Sequence, residues 1–290
     1  MAYAVRSGRS QQSNDLRAAG TPRVDAPRAV VSAGPVDRLP RATADAYAGW
    51  PDVAVAARRR DPTRLRDLLS RGGDPNASTP RGESALAVAI ASDSADAVAL
   101  LLASGADASG ADQSGVTPLG LAVQLGHESV VEALLKRGAN PNVHGAGHPP
   151  PLIVAIERNE MRIARALLAA GADAGASLAQ GRTPLMIAAA RDQAEIVTML
   201  LEARAGATAV DAAGRSALWL AACANAVAAL PLLLKAGAAV DAADEEGVTP
   251  LACAAARGYT AVVDRLLRAG ASASSKTRIG DTPLTLAAAG

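Results

Sequence analysis

The residues able to do chemistry are few and scattered. Three histidines and two cysteines occur in 290 residues. His144 and His148 stand four apart, but in a Gly/Pro-rich loop rather than on a helix, and no cysteine or acidic pair accompanies them as a metal site would require. Residues 105–110 have the glycine spacing of a phosphate-binding loop, with Ala111 where the lysine belongs. Asp241, Asp244, Glu245 and Glu246 crowd one acidic turn that lacks the calcium-loop pattern. Cys223 has no histidine near it in sequence, and His127 is far upstream. No nucleophile–base pair or ligand set emerges, so the expectation is a non-enzyme with no catalytic residue, no metal and no cofactor. What remains for these side chains is recognition.

Any recognising side chain is positioned by a repeat of 33 residues. Thr117-Pro118-Leu119, Thr183-Pro184-Leu185, Thr249-Pro250-Leu251 and Thr282-Pro283-Leu284 are its clearest copies, with Ser84-Ala85-Leu86, Pro150-Pro151-Leu152 and Ser216-Ala217-Leu218 in register between them. A fixed period of this size means stacked supersecondary units. The Thr or Ser hydroxyl can cap the free N–H groups of a first helical turn, and proline follows where its missing N–H costs nothing. Nine residues after the cap stand Asp93, Gly126, Asn159, Asp192, Asn225 and Gly258, the residue types that enter the left-handed region most easily. A second helix then buries Val130, Val131, Leu134 and Leu135, and in later copies Ile163, Ala164, Leu167 and Leu168, or Ile196, Val197, Leu200 and Leu201. It stops at Gly72, Gly105, Gly138, Gly171, Gly237 and Gly270. Arg204 breaks that series, which predicts a distorted helix end. Pro231, near the start of another second helix, predicts a local irregularity.

Gly-x-Thr-Pro-Leu-x-x-Ala, as in Gly181 to Ala188, and Leu-Leu-x-x-Gly-Ala, as in Leu134 to Ala139, resemble the ankyrin repeat family. The resemblance implies an all-α ankyrin-repeat solenoid of helix-turn-helix units with β-turn or hairpin loops. About eight repeats are expected over residues 50–290, including a degenerate, Arg-rich first and a truncated last. It also implies a protein partner, contacted through turn tips and the concave face of the first helices.

Composition agrees with thin stacked layers: 50% of residues are apolar, 2% are aromatic and none is Phe. A net charge of +1 gives no sign of a general nucleic-acid or membrane-surface binder. Residues 217–234 are apolar enough to resemble a membrane span, but Asn225 and Pro231 interrupt them in repeat register. Cys223 and Cys253 occupy different positions in neighbouring repeats, which argues against a disulfide and for cytoplasm or another reducing compartment. Residues 1–49 lack the repeat and read as a disordered or extended arm that could carry organelle targeting. Leu284, Leu286 and Ala287 are expected to lie uncovered, awaiting a neighbouring chain or further repeats.

Carried over by register, the partner surface is expected to include Gln124, Glu157, Arg158, Arg182, Met186, Arg191, Arg215, Trp219, Cys223, Glu245, Glu246 and Arg257. The family often has His after Thr-Pro-Leu; here the large residues Ile153, Met186 and Trp219 stand there in three adjacent repeats. Ile153 and Met186 read first as inter-repeat packing, and for Trp219 packing and contact both stay open. A contact site on repeats four to six would have an apolar centre and an Arg rim, and Trp219→Ala would cost about 2 kcal/mol of binding with the fold intact. Two other roles fit the same residues: a structural subunit of a large assembly, and the targeting domain of an enzyme whose catalytic part is elsewhere.

Overall fold

A computed structural model describes residues 47–145 and 147–289. The expected N-terminal arm falls outside them apart from residues 47–49. The described residues form fifteen short α-helices and one 3-10 turn, with no strand. They divide into two compact units, 29–173 and 174–290. The first unit contains α1 (Asp52–Arg58), α2 (Pro62–Ser70), α3 (Ala85–Ala91), α4 (Ala95–Ala103), α5 (Pro118–Leu125), α6 (Glu128–Lys136), α7 (Pro151–Glu157) and α8 (Met161–Ala169). The second contains α9 (Pro184–Ala190), α10 (Ala194–Glu202), α11 (Ala217–Cys223), α12 (Ala229–Lys235), α13 (Pro250–Ala256), α14 (Thr260–Arg268) and α15 (Pro283–Ala289). Within each unit the odd-numbered first helices pack on one another; among the second helices α2, α4, α6 and α8 pack in succession, and α10 packs on α12.

The local chemistry is the one the repeat predicts. Ser84, Thr117, Thr183, Ser216 and Thr249 each accept a hydrogen bond from the backbone N–H three residues on, at 3.0–3.3 Å. The turn between paired helices is left-handed at Asp93 (φ 52°), Asn159 (φ 58°), Asp192 (φ 55°) and Asn225 (φ 58°), as at the two glycines of that series. Arg60 joins them at φ 53°, so the degenerate, Arg-rich first pair keeps the same turn.

Arg204 corrects an expectation. It takes φ 62° in place of glycine, and Ala205 N–H reaches the Leu200 carbonyl at 2.9 Å. The equivalent bond after α8, from Ala172 to Leu167, is also 2.9 Å. The α10 end is therefore regular, with arginine held in a conformation that glycine adopts more cheaply.

Pro231 does disturb its helix. α12 has seven residues where α8, α10 and α14 have nine. Proline has no N–H for the Val227 carbonyl four residues back. Arg265 Nη1 supplies that carbonyl with a donor at 2.9 Å. At the same end, Asp192 Oδ1 accepts the Ala228 and Ala229 N–H groups at 2.9 and 2.7 Å. Neighbouring pairs thus satisfy both the donors and the acceptor that the irregular start leaves open.

The core is made of small and aliphatic residues. Ala188, Ala189, Ala221, Ala222 and Ala254 have no exposed surface, which lets first helices approach closely. Residues 217–234 form α11, a turn and α12, and no helix of the described residues is long and apolar enough to cross a membrane. α15 packs on α13. Leu286 is consequently buried, against the expectation that it would lie uncovered, while Leu284 is 77% exposed.

Candidate functional site

Turn tips between pairs present the side chains that a partner could meet. In the 174–290 unit each tip is closed by its own backbone, as where Asp211 N–H meets the Arg215 carbonyl at 3.0 Å and Asp244 N–H the Val248 carbonyl at 3.1 Å. Successive tips are then tied together. Ala212, Glu245 and Arg278 donate backbone N–H groups to the carbonyls of Gln180, Ala213 and Glu246 at 2.8, 3.0 and 2.9 Å. Glycine is needed at these tips on two counts. Gly214 has φ 76°, and an added Cβ would lie 3.1 Å from the Glu245 nitrogen.

Asp211 and Arg215 form the most buried ion pair at these tips. Asp211 Oδ2 takes Arg215 Nε at 2.9 Å and Nη2 at 2.7 Å, and Oδ1 accepts the Ala213 and Arg215 N–H groups at 3.0 Å each. The aspartate side chain is 1% exposed, whereas the arginine side chain stays 29% exposed and its guanidinium lies 5.8 Å from the Trp219 ring centre. Burial alone would raise the Asp211 carboxyl. The hydrogen bond from the Arg215 side chain, the two backbone donors and the Arg215 charge outweigh it and hold that carboxyl below its ordinary value.

Asp244, one repeat on, accepts Val248 and Glu246 N–H groups at 2.8 and 3.0 Å. Its carboxyl is raised, chiefly by burial and further by the Glu246 charge, against the pull of those backbone donors. The same residue type at the same loop position shifts in opposite directions because Asp211 has a hydrogen-bonded guanidinium at its side, whereas Asp244 lacks that bond and has the Glu246 charge nearby.

The expected surface residues separate by burial. In the 174–290 unit Arg191, Glu245 and Glu246 are exposed, and Arg182, Arg215 and Arg257 half-buried. Arg257 Nη1 donates to the Cys223 carbonyl at 2.8 Å. Met186 and Cys223 have no exposed surface and Trp219 retains 8%. These three stand at first-helix positions packed against the next first helix, so the expected apolar centre is interior and only the Arg rim reaches solvent. In the 29–173 unit Arg158 is exposed and Gln124 and Glu157 half-buried, while Ile153 is fully buried. A cleft there is lined by Val116, Gly120, Gln124, His144, His148 and Val154. Gly120 lines it at the register position where the next first helix carries Ile153. Among the described residues no three His, Cys, Asp or Glu side chains gather so as to hold a metal ion.

The cysteines correct the sequence reading. Cys223 and Cys253 are joined in a disulfide, with Cα atoms 5.4 Å apart. Their different repeat positions do not separate them, because stacked first helices are offset: position seven of one meets position four of the next. With the bond formed, the cysteines no longer argue for a reducing compartment.

Side chains at one further loop position tie consecutive pairs, and sequence reading missed them. Asn76, Asn142 and Asp241 accept the backbone N–H of Asp107, Asp173 and Ser272 at 2.7, 2.8 and 3.0 Å. The signal was present, since Asn or Asp stands eight residues before the cap in each case.

Capped helix pairs, left-handed turns and tips tied edge to edge define a stacked-repeat protein. A family model described as ankyrin repeats matches three segments, residues 53–144, 152–244 and 218–290. The chain belongs to the ankyrin repeat family, whose repeats are in general protein–protein interaction modules. No curated protein sequence matches it.

Proposed function

We propose that this chain is a non-enzymatic interaction module that binds a protein partner through its turn tips and the ends of its first helices. In the 174–290 unit the surface consists of Arg182, Arg191, Arg215 and Arg257, with Glu245 and Glu246 beside them. The observation that carries this reading is the clamp on Arg215. Its guanidinium is already held by Asp211, 2.7 Å away, yet the side chain stays 29% exposed. A side chain held in place before binding loses little rotamer freedom when a partner arrives. Arginine is also among the residues that anchor interfaces. The chemistry favours a partner segment that brings a carboxylate to these arginines and a basic or amide side chain to Glu245 and Glu246. Gln124, Glu157 and Arg158 are the corresponding contact residues of the 29–173 unit.

Affinity capture from the native source, followed by crosslinking and mass spectrometry, tests this reading. Wild type and an Arg191→Glu/Arg257→Glu variant of equal helicity are compared. The expected result is a stoichiometric partner, crosslinked near the tips and lost with the variant. A partner retained in full by the variant would refute the assignment of this surface. Turnover of a small molecule by the purified chain would refute the non-enzymatic reading.

A further inference from the structure

We infer that Cys223 and Cys253 form a reversible redox staple that sets how tightly α11 is held to α13. Cys223 is the last residue of α11 and Cys253 lies in the middle of α13. In the same unit the register-equivalent pairs are Ala190 with Leu220 and Ala256 with Leu286. An alanine and a large aliphatic residue thus do elsewhere what two sulfurs do here. The fold has a cysteine-free solution for this contact, and at one joint it carries a bond that can be made and broken.

Other ties cross the same joint, three of them at α11, α13 and their tips. Trp219 Nε1 donates to the Val248 carbonyl at 2.8 Å, Arg257 Nη1 to the Cys223 carbonyl at 2.8 Å, and Glu245 N–H to the Ala213 carbonyl at 3.0 Å. Reduction removes the covalent tie and leaves these, so the joint loosens without coming apart. The bond closes a loop with a sequence separation of 30, and opening it returns conformational freedom to that stretch.

The two sulfurs differ in access. Cys223 is fully buried and Cys253 is 6% exposed. An external thiolate of the glutathione class therefore attacks the Cys253 sulfur. The S–S bond breaks, a mixed disulfide forms at Cys253, and Cys223 leaves as a thiolate that takes up a proton. A second external thiolate attacks the mixed disulfide and releases Cys253. Two external thiols have become one external disulfide, and two electrons have passed to the protein pair. Oxidation is the same sequence in reverse, with the small-molecule disulfide as oxidant. The stiffened helices carry Arg257 and the tips beside Arg215, but the staple stands whether or not those residues meet a partner.

The test equilibrates the full chain in glutathione buffers of graded thiol-to-disulfide ratio. Free thiols are alkylated and counted by intact mass, and amide exchange is followed in parallel. One two-electron transition is expected, from no alkylated cysteine to two. Amide exchange over residues 217–257 should be faster by at least about ten-fold in the reduced chain, and its Tm lower by about 5 °C or more. A Cys223→Ser/Cys253→Ser variant should match the reduced chain at every ratio, and if it does not fold, the reduced wild type supplies the comparison. Two alkylatable thiols even in the most oxidising buffer would overturn the proposal. So would equal exchange rates in the oxidised and reduced chains.

Discussion

Trp219 donates its indole N–H to the Val248 carbonyl, 2.8 Å away at the tip of the following repeat. The ring is 8% exposed and lies between α11 and that tip, with the Arg215 guanidinium 5.8 Å from its centre. A residue placed this way holds repeats together before it can touch a partner. Trp219→Ala should therefore destabilise the chain by about 3–5 kcal/mol, the cost of a large cavity. Trp219→Phe, which keeps most of the ring, should lose about 1 kcal/mol, because the Val248 carbonyl still accepts the Asp244 N–H. Urea unfolding of the three proteins checks both values. A stable Trp219→Ala protein would restore the role of Trp219 as a surface anchor.

Asp211 and Asp244 should give opposite pH dependences. The Asp211 carboxyl is below its ordinary value in the folded chain, so its stabilising contribution is complete above that ordinary value. It is lost as pH falls through the folded value. Asp211→Asn should therefore be destabilising at pH 7, with the difference from wild type shrinking in acid.

The Asp244 carboxyl is raised, so its contribution is present below the ordinary carboxylate value and lost as pH rises through the folded one. Asp244→Asn keeps an oxygen for the Val248 and Glu246 N–H groups and removes the buried charge. It should raise Tm at pH 7 and gain nothing in strong acid. Thermal melts of both variants from about pH 3 to pH 7 check the signs.

What the sequence made legible was whatever one residue type enforces by itself. Thr249 caps α13 because its hydroxyl is in reach of a free N–H, and Asn225 turns left-handed because its short polar side chain tolerates that backbone. Period and cap together therefore specified the helix pairs. The candidate site was less legible, because it depends on how far one repeat is offset from the next. Position seven of α11 meets position four of α13, an offset that no single repeat reveals. That offset joins Cys223 to Cys253, and the same stacking buries Met186 and Trp219, for which the sequence left packing and partner contact both open. Arg204 shows the converse: a residue of the wrong type can be driven into the left-handed turn by the packing on either side of it.

Asp192 has two tasks, holding φ 55° at the end of α9 and accepting the Ala228 and Ala229 N–H groups at the start of α12. Substitution separates them. Asp192→Asn keeps an acceptor oxygen and a tolerated backbone, and should stay within about 0.5 kcal/mol of wild type. Asp192→Gly favours the backbone but removes the acceptor. It should cost about 1 kcal/mol, with faster amide exchange at Ala228 and Ala229. Asp192→Ala loses both and should cost about 2 kcal/mol. If all three variants melt together, the interaction at the start of α12 contributes nothing to stability.

Arg204 supplies the opposite case, a position where substitution should strengthen the chain. Its side chain is exposed and its backbone sits at φ 62°, where six other second helices end in glycine. A side chain there clashes with its own carbonyl, a penalty of roughly 1–2 kcal/mol for ordinary residues. Glycine gives back part of that gain through its freer unfolded state. Arg204→Gly should therefore stabilise by about 0.5–1 kcal/mol, visible as a rise in Tm with an unchanged urea m-value. The same substitution at Arg66, exposed within helix α2, should lower Tm, because there glycine only loosens a helix. A fall in Tm for Arg204→Gly would mean that the arginine makes contacts worth more than the strain it carries.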